Sequence, residues 1–162
     1  MSALTIRPAV AADRPWLIEA MAAINDHERK LHDSRRPGAE CAEAYLAQIE
    51  AAIARDGGAI LLALRDGKPV GVIAFRIARG DVAAETDDSN VAGYVSDLFV
   101  TDSERGNGLA GRLLREAERY FRDAGLRRMR IGSLAANTPA VRAYRKFGFA
   151  DYELVLEKRL VT

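Results

Sequence analysis

The sequence predicts a mixed α+β (αβα) fold, an α/β architecture in which one central, mainly antiparallel sheet has helices on both faces, in the order βααβββαβαβ. Two observations predict it: segments with helical and with strand periodicity alternate along the chain, and an Asp-Gly dipeptide joins two apolar strands. The chain has 162 residues, the size of one domain, and no Gly/Pro/Ser linker divides it. We therefore expect residues 1–162 to form a single domain.

The first half of the chain predicts a strand and two helices before the Asp-Gly turn. Residues 4–7 have the pattern of a short strand, and Asp13 with Pro15 opens the first helix. A polar stretch over residues 25–38 separates it from a second helix, which two glycines at 57–58 end. The apolar residues that share one face are Leu17, Ala20, Met21 and Ile24 in the first helix and Ala42, Leu46, Ile49 and Ile53 in the second.

The second half predicts a hairpin followed by alternating strands and helices. Asp66-Gly67 is the dipeptide favoured where both turn residues need a positive φ, so the apolar runs around it form the hairpin. A polar, acidic loop then leads to a strand over residues 92–100. The remaining elements are a helix over 108–124, a strand over 129–134, a helix from Pro139 to Phe147 ended by Gly148, and a last strand over 152–157.

Composition is typical of a soluble globular protein, since 49% of the residues are hydrophobic and 29% are charged. Every apolar run is shorter than the roughly 20 residues that cross a bilayer, and the N-terminus lacks a signal-peptide pattern. The one cysteine, Cys41, forms neither an internal disulfide nor a multi-thiolate metal site. These features exclude disordered, fibrous and membrane-spanning classes, and they favour a cytoplasmic location with Cys41 as a small buried apolar residue.

Charge is unevenly distributed although the net charge is only +1. Residues 1–100 carry 11 Lys/Arg and 15 Asp/Glu, a net −4, whereas residues 101–162 carry 13 and 8, a net +5. Residues 80–104 contain seven acidic side chains and neither Lys nor Arg. Solvated helix faces explain such a pattern, and so does a protein that binds an anionic ligand on one side and a cationic ligand on the other. The motifs have to decide between them.

The most informative segment is Arg105-Gly106-Asn107-Gly108-Leu109-Ala110, which joins a strand directly to a helix. Two glycines remove side chains where a ligand must approach the backbone, and the helix start offers unpaired N–H groups. This pattern predicts an anion site. A Walker loop is excluded, because it would need Gly-Lys-Ser/Thr after its glycines and this segment lacks it. The GxGxxG that Gly111 completes is not a dinucleotide fingerprint, because several strands precede it and the acidic residue about twenty positions on is missing.

A second motif follows at a fixed distance, with Asn137 before a helix start and Tyr144 two turns inside the helix. Together the two segments resemble the GNAT superfamily of N-acetyltransferases. Its signature R/Q-x-x-G-x-G/A is RGNGLA here, and its N-x₆-Y-x₃-GF runs from Asn137 to Phe149. The predicted element order matches the fold of that family over nearly the whole chain. The resemblance implies a GNAT-type fold and a transferase that uses acetyl-CoA.

The resemblance also implies which residues bind acetyl-CoA, the cosubstrate. Backbone groups of Leu98, Phe99 and Val100 would pair with the pantetheine arm as an added strand does, although the same residues could simply be core. Asn137 would bind the cofactor arm or a structural water, or cap its helix. Arg112, Arg142, Arg145 and Lys146 are candidates for the nucleotide phosphates by charge and position only, the alternative for each being a solvated surface residue. The pyrophosphate would be held by backbone amides of Arg105, Gly106, Asn107, Gly108, Leu109 and Ala110.

Family members catalyse direct attack of an amine in a ternary complex, without an acyl-enzyme. By resemblance Tyr144 is the general acid that protonates the CoA thiolate and also contacts the cofactor, the alternative being a packed aromatic residue. Asp97, on the strand beside the expected thioester, is the best-placed general base if its side chain points inward. Glu104, the acidic residues of the 81–88 loop, or a water chain are the alternatives.

The acceptor is expected to be a primary amine of a small molecule or peptide, selected by residues 25–38 and 80–90. The acidic 80–104 stretch motivates a cationic amine as a hypothesis. His27 and His32, with Asp26, Glu28 and Asp33, do not predict a metal site, because their spacing puts the imidazoles on different helix faces.

Two other functions compete with the enzyme. One is a non-catalytic acyl-CoA-binding sensor of the same fold, and the other is a nucleic-acid-binding protein, which the balanced charge disfavours. A homodimer is compatible with the family, but no sequence feature fixes it.

Overall fold

The computed structural model describes residues 3–160, which form a five-stranded sheet between two layers of helices. The sheet has the spatial order β1-β2-β3-β4-β5, the same as the chain order. The first four strands pair antiparallel and β5 pairs parallel to β4. The strands are β1 (Leu4–Pro8), β2 (Gly58–Arg65), β3 (Lys68–Arg79), β4 (Val91–Val100) and β5 (Met129–Ile131). The helices are α1 (Arg14–Leu31), α2 (Gly38–Asp56), α3 (Asp87–Asn90), α4 (Leu109–Asp123) and α5 (Thr138–Phe147), with 3₁₀ turns at Ala11–Asp13 and Asp102–Glu104. The predicted fold class is confirmed.

Each face of the sheet has its own apolar cluster. Helices α1 and α2 pack on one face, where Met21 and Leu46 meet Leu62 and Val72 of the sheet. Helix α4 packs on the other face, and the residues buried there include Ile73, Phe75, Val95, Leu113 and Phe121. The predicted apolar faces of the three long helices are therefore the faces that the structure buries.

Helix α1 is longer than the sequence predicts. The apolar periodicity ends at Ile24, but the helix continues to Leu31, so Asp26, His27 and Glu28 belong to its last turns. Residues 25–31 contain neither Gly nor Pro, so their helix propensity allows the helix to continue although most of these side chains are polar. This extension brings the side chains of the predicted polar loop towards the sheet.

The Asp66-Gly67 hairpin is confirmed. Both residues have positive φ, 50° and 78°, and β2 pairs antiparallel with β3 on either side of them. Helix α2 ends as predicted at Gly57, whose φ is 86°.

The predicted last strand, residues 152–157, is wrong: this segment is irregular, and Leu154, Val155 and Leu156 are 75%, 81% and 84% exposed. The alternating pattern of YELVLE suits a strand locally, but a strand also needs a partner. The strand predicted over 129–134 shortens to the three residues of β5, which offers little edge for pairing. The acidic loop before β4 contains the short helix α3, which was not predicted.

Cys41 is partly exposed rather than buried, and its sulfur lies 3.1 Å from the Asn25 amide nitrogen.

Across the described part of the chain, no helix is both long and apolar enough to cross a membrane.

Candidate active site

The candidate site lies where β4 and β5 separate. A bulge in β4 places Asp97 opposite Ala74 and Val95 opposite Phe75, so that Ser96 is an extra residue in the ladder. The pairing of β4 with β5 covers only Gly93–Val95. Beyond the bulge, residues 98–100 pair with β3 on one side, while on the other side none of the described strands pairs with them. This is the kind of strand edge that an extended ligand can extend by hydrogen bonding.

The loop after β4 leads into α4 with a conformation that only glycine adopts easily. Gly106 and Gly108 have φ values of 79° and 77°, and no heavy atom of the described residues lies within 4 Å of where a Cβ would be. The first N–H groups of α4, which lack partners within the helix, follow directly after these two glycines. This open helix start fits a pyrophosphate, which needs backbone donors and no intervening side chain.

Glu104 anchors this loop and is not suited to be a base. The guanidinium of Arg65 on β2 donates to its carboxylate through Nε (2.5 Å) and Nη2 (2.7 Å). These bonds hold the pKa of Glu104 below its ordinary value. Arg105 next to it is exposed and its Nη1 lies 2.9 Å from Asp102 Oδ1, at the entrance of the loop.

Asp97 is the buried carboxylate at the separation point, and 6% of it is exposed. Its side chain shares the sheet face of Ala74, against α1 and α2, and the hydroxyl of Tyr45 on α2 donates to Oδ1 and Oδ2 at 3.1 and 3.2 Å. Burial raises the pKa of Asp97, hydrogen bonds from Ser96 and Tyr45 oppose that rise, and the negative charge of Glu28 adds to it. The inward orientation that a general base requires is therefore present.

Tyr144 on α5 is partly buried and packs edge-on against Phe149, with ring centroids 6.2 Å apart. Burial is the main cause that raises the pKa of Tyr144 to about 12, and the charges of Glu28 and Asp97 add to it. At neutral pH this phenol is protonated, as that of an ordinary tyrosine is, so a hydroxyl hydrogen is available for donation.

Sequence reasoning missed Tyr45 and Glu28. Both contacts are tertiary, because α2 carries Tyr45 to β4 and the unpredicted last turns of α1 carry Glu28 towards the same carboxylate. Arg35 donates to the Glu28 carboxylate at 2.5 Å. The one sequence signal for Tyr45 was that it directly precedes Leu46, a residue that the helical pattern places on the apolar face of α2.

The other predicted residues lie around this centre. Asn137 precedes α5, and within residues 3–160 its side chain makes no capping hydrogen bond. Arg145 is engaged by Asp151 at 2.8–3.0 Å, which weakens its case as a phosphate ligand, whereas Arg112, Arg142 and Lys146 are exposed.

The acidic 81–88 loop is also less available than expected. Asp88 accepts hydrogen bonds from Thr86 and Arg128, which lower its pKa.

The side chain of His32 has polar neighbours at both ring nitrogens. Its Nδ1 lies 2.9 Å from the Ser34 hydroxyl oxygen, and its Nε2 lies 3.2 Å from a carboxylate oxygen of Glu157. Among the described residues, no group of three His, Cys, Asp or Glu could hold a metal ion.

A groove of about 190 Å³ runs beside the site between α2 and the sheet. Tyr45 and Ile49 form its helix side, and Arg76, Tyr94 and Ser96 form its sheet side. The Arg76 guanidinium lies over the Tyr94 ring, 5.7 Å from its centroid. The tyrosine that contacts Asp97 is therefore also part of the groove wall.

Comparison with known protein families identifies the class to which this protein belongs. The family model described as the Acetyltransferase (GNAT) family matches residues 21–149. The chain belongs to this family of acetyltransferases, so it is an acyltransferase that uses acetyl-CoA as its cosubstrate, and not merely an acyl-CoA sensor.

Individual relatives narrow the comparison. An aminoglycoside N(6')-acetyltransferase type 1 from Salmonella typhimurium is 30% identical over 131 residues, 81% of this chain and 88% of the relative. A solved aminoglycoside N-acetyltransferase in complex with CoA is 21% identical with a TM-score of 0.73, covering 99% of this chain and 96% of the other. The solved structure of a GCN5-related N-acetyltransferase from Ralstonia eutropha is 16% identical in sequence with a TM-score of 0.75, covering 97% of this chain and 99% of the other. These structures share the fold.

Proposed function

We propose that this protein acetylates a primary amine of an aminoglycoside or a similar polycationic small molecule, by direct attack on acetyl-CoA in a ternary complex. The observation that carries the proposal is the buried carboxylate of Asp97 next to the uncovered edge of β4, with Tyr144 nearby. The aminoglycoside acetyltransferase that is 30% identical supports the acceptor class.

The acetyl-CoA site in this proposal follows the strand, loop and helix that begin at β4. Backbone groups of Leu98–Val100 take the pantetheine arm, and Asn137 contacts it. The pyrophosphate is taken by the amides at the start of α4, because those of Arg105 and Asn107 already donate to carbonyls within the preceding turn, at 3.3 and 3.4 Å. The positive φ of Gly106 and Gly108 supports this arrangement, because it keeps the helix start open.

The reaction needs a neutral amine and a protonated leaving group. Asp97 accepts a proton from the acceptor ammonium, and the nitrogen lone pair then forms a C–N bond to the acetyl carbonyl carbon. As the C–S bond breaks, the Tyr144 hydroxyl donates its proton to the sulfur, and Tyr144 is reprotonated by the proton that the new amide nitrogen releases. The raised pKa of Asp97 supports the base role, because a carboxylate with a higher pKa is a stronger proton acceptor.

The acceptor class follows from charge. Glu28 contributes a second carboxylate on the acceptor side, and its charge acts on Asp97, Tyr45 and Tyr144. Two carboxylates close together favour an acceptor that carries more than one ammonium group. Arg35 offsets part of the Glu28 charge, so the preference is set mainly by Asp97.

A panel of amines tests the acceptor class by measuring release of the CoA thiol. We expect kcat/KM to be highest for aminoglycosides, lower for linear polyamines and N-terminal peptides, and lowest for anionic amino acids. A preference for anionic amino acids would contradict the proposal.

The acid role of Tyr144 is tested with Tyr144→Phe, which removes the hydroxyl and keeps the ring packed against Phe149. Acetyl-CoA affinity should stay within about twofold while kcat falls about 100-fold, the usual worth of a general acid. Tyr120→Phe is the matched control, because Tyr120 packs edge-on against Phe75 in the same apolar cluster as Tyr144 but belongs to neither motif. An unchanged kcat in Tyr144→Phe would remove this residue from the mechanism.

A further inference from the structure

The contact between Tyr45 and Asp97 lies outside both sequence motifs and joins α2 to the bulged strand. The Tyr45 hydroxyl is 3.1 Å from Oδ1 and 3.2 Å from Oδ2, so its single hydrogen is shared between the two carboxylate oxygens. Asp97 is 6% exposed and Tyr45 is 37% exposed, so the tyrosine stands between the carboxylate and the outside.

We propose that Tyr45 is a positioning residue for Asp97, whose hydroxyl fixes the orientation in which the carboxylate accepts the proton of the acceptor ammonium. This inference rests on the proposed base role of Asp97. Because the hydroxyl bridges both oxygens, it can remain bonded to one oxygen while the other takes the proton. The carboxylate therefore keeps a fixed plane in both protonation states.

The ring of Tyr45 is itself held in place. Its neighbour Leu46 is completely buried, and Ile49, one turn further along α2, is 6% exposed and packs in the same cluster. Helix α2 cannot rotate without exposing these residues, so the hydroxyl is delivered to Asp97 by a packed helix. The same ring forms one wall of the 190 Å³ groove, so an acceptor lying in the groove would meet Tyr45 on its way to Asp97.

The polar groups around Asp97 come from several elements. Tyr45 approaches from α2 and Glu28 from α1, and β4 itself supplies the Ser96 hydroxyl. On β3, Ala74 lies opposite Asp97 and Arg76, which is paired with Asp56, lines the same groove, while the charge of Asp97 also acts on Tyr144 of α5. Of these, the Tyr45 hydrogen bond favours the ionised carboxylate, whereas the charge of Glu28 disfavours it. Removing the Tyr45 hydroxyl leaves only the Ser96 hydroxyl to oppose burial and Glu28, so the pKa of Asp97 should rise.

Tyr45→Phe tests this inference, since it keeps the ring and removes only the donor. With one aminoglycoside acceptor throughout, the acidic limb of kcat/KM should move to higher pH by about 1 unit, the worth of one hydrogen bond to a charged group. The plateau kcat should fall about 10-fold, with the KM for acetyl-CoA unchanged. A ¹³C titration of the Asp97 carboxyl should show the same upward shift without any turnover, and Tyr120→Phe should leave both profiles as in the parent.

A double-mutant cycle separates this inference from the function beneath it. If Tyr45 acts through Asp97, adding Tyr45→Phe to Asp97→Asn should cause no further loss of kcat. Independent losses in the double variant, or an unmoved acidic limb in Tyr45→Phe, would overturn the positioning role alone, provided that Asp97→Asn is inactive. Full activity in Asp97→Asn would instead overturn the base role and this inference with it.

Discussion

Asp97 and Glu104 lie seven residues apart on either side of the end of β4 and are almost equally buried, at 6% and 7% exposure. Their partners differ. Arg65 binds Glu104 through two N–H groups and lowers its pKa, whereas Asp97 has a neutral tyrosine as its donor and its pKa is raised. Burial alone therefore does not indicate reactivity. A carboxylate with a cationic partner stabilises the fold, while one that lacks such a partner keeps its affinity for a proton.

Among the substitutions that test this comparison, Asp97→Asn should have the largest effect on activity. Loss of a general base should lower kcat by at least about 100-fold, with acetyl-CoA affinity unchanged, measured by thiol release and calorimetry. Because the pKa of Asp97 is raised on folding, ionising it costs stability above its ordinary pKa, and this cost disappears as the pH falls below that value. Asp97→Asn should therefore have a higher Tm than the parent at pH 7 and an equal Tm near pH 3; a lower Tm at pH 7 would contradict this.

The loop anchored by Glu104 can be probed at Gly108, and the chain supplies a matched control in Gly125. Both glycines have a φ near 77°, and at both the described residues leave space for a Cβ. Alanine at either position should cost about 1 kcal/mol of unfolding free energy through backbone strain. Only Gly108→Ala should weaken acetyl-CoA binding, by about 10-fold in Kd, because Gly125 ends α4 far along the chain from the loop. Equal affinities in the two variants would argue against a pyrophosphate at this helix start.

The smallest effect on chemistry is expected for Glu104→Gln. This change removes the charge that Arg65 binds, so Tm at pH 7 should fall by several degrees while kcat stays within about threefold. Because the pKa of Glu104 is lowered on folding, its stabilisation is present above the ordinary pKa and is lost as the pH falls through the lowered value. The Tm difference from the parent should therefore vanish in strong acid. At pH 7 its sign is opposite to that for Asp97→Asn, because the pKa shifts of the two carboxylates are opposite. A Tm difference that persists at low pH would mean that packing, not charge, explains the contact.

The sequence was informative where chemistry depends on local backbone. The hairpin at Asp66-Gly67, the glycines of the loop and the position of Asn137 before α5 follow from conformational preferences that act within a few residues. Helix α4 was predicted over 108–124 and spans Leu109–Asp123 for the same reason. These segments also carry the family motifs.

Contacts between distant elements could not be predicted in this way. Tyr45 is 52 residues from Asp97, and only the packing of α2 on the sheet brings them together. The strand predicted over 152–157 failed for a related reason, because alternation describes the segment and not whether a neighbouring strand exists. The longer α1, which brings Glu28 to the site, has no apolar periodicity in its last two turns.

The extra residue in β4 has a consequence for which side chains can share the groove side of the sheet. In a regular strand, residues three apart point in opposite directions, so Tyr94 and Asp97 would be separated by the thickness of the sheet. Ser96 shifts the alternation by one, and both side chains therefore face α2. If β4 held Ser96 in regular alternation, without the bulge, the carboxylate of Asp97 would face α4, away from Tyr45 and the groove, although every amino acid of the two motifs would be unchanged.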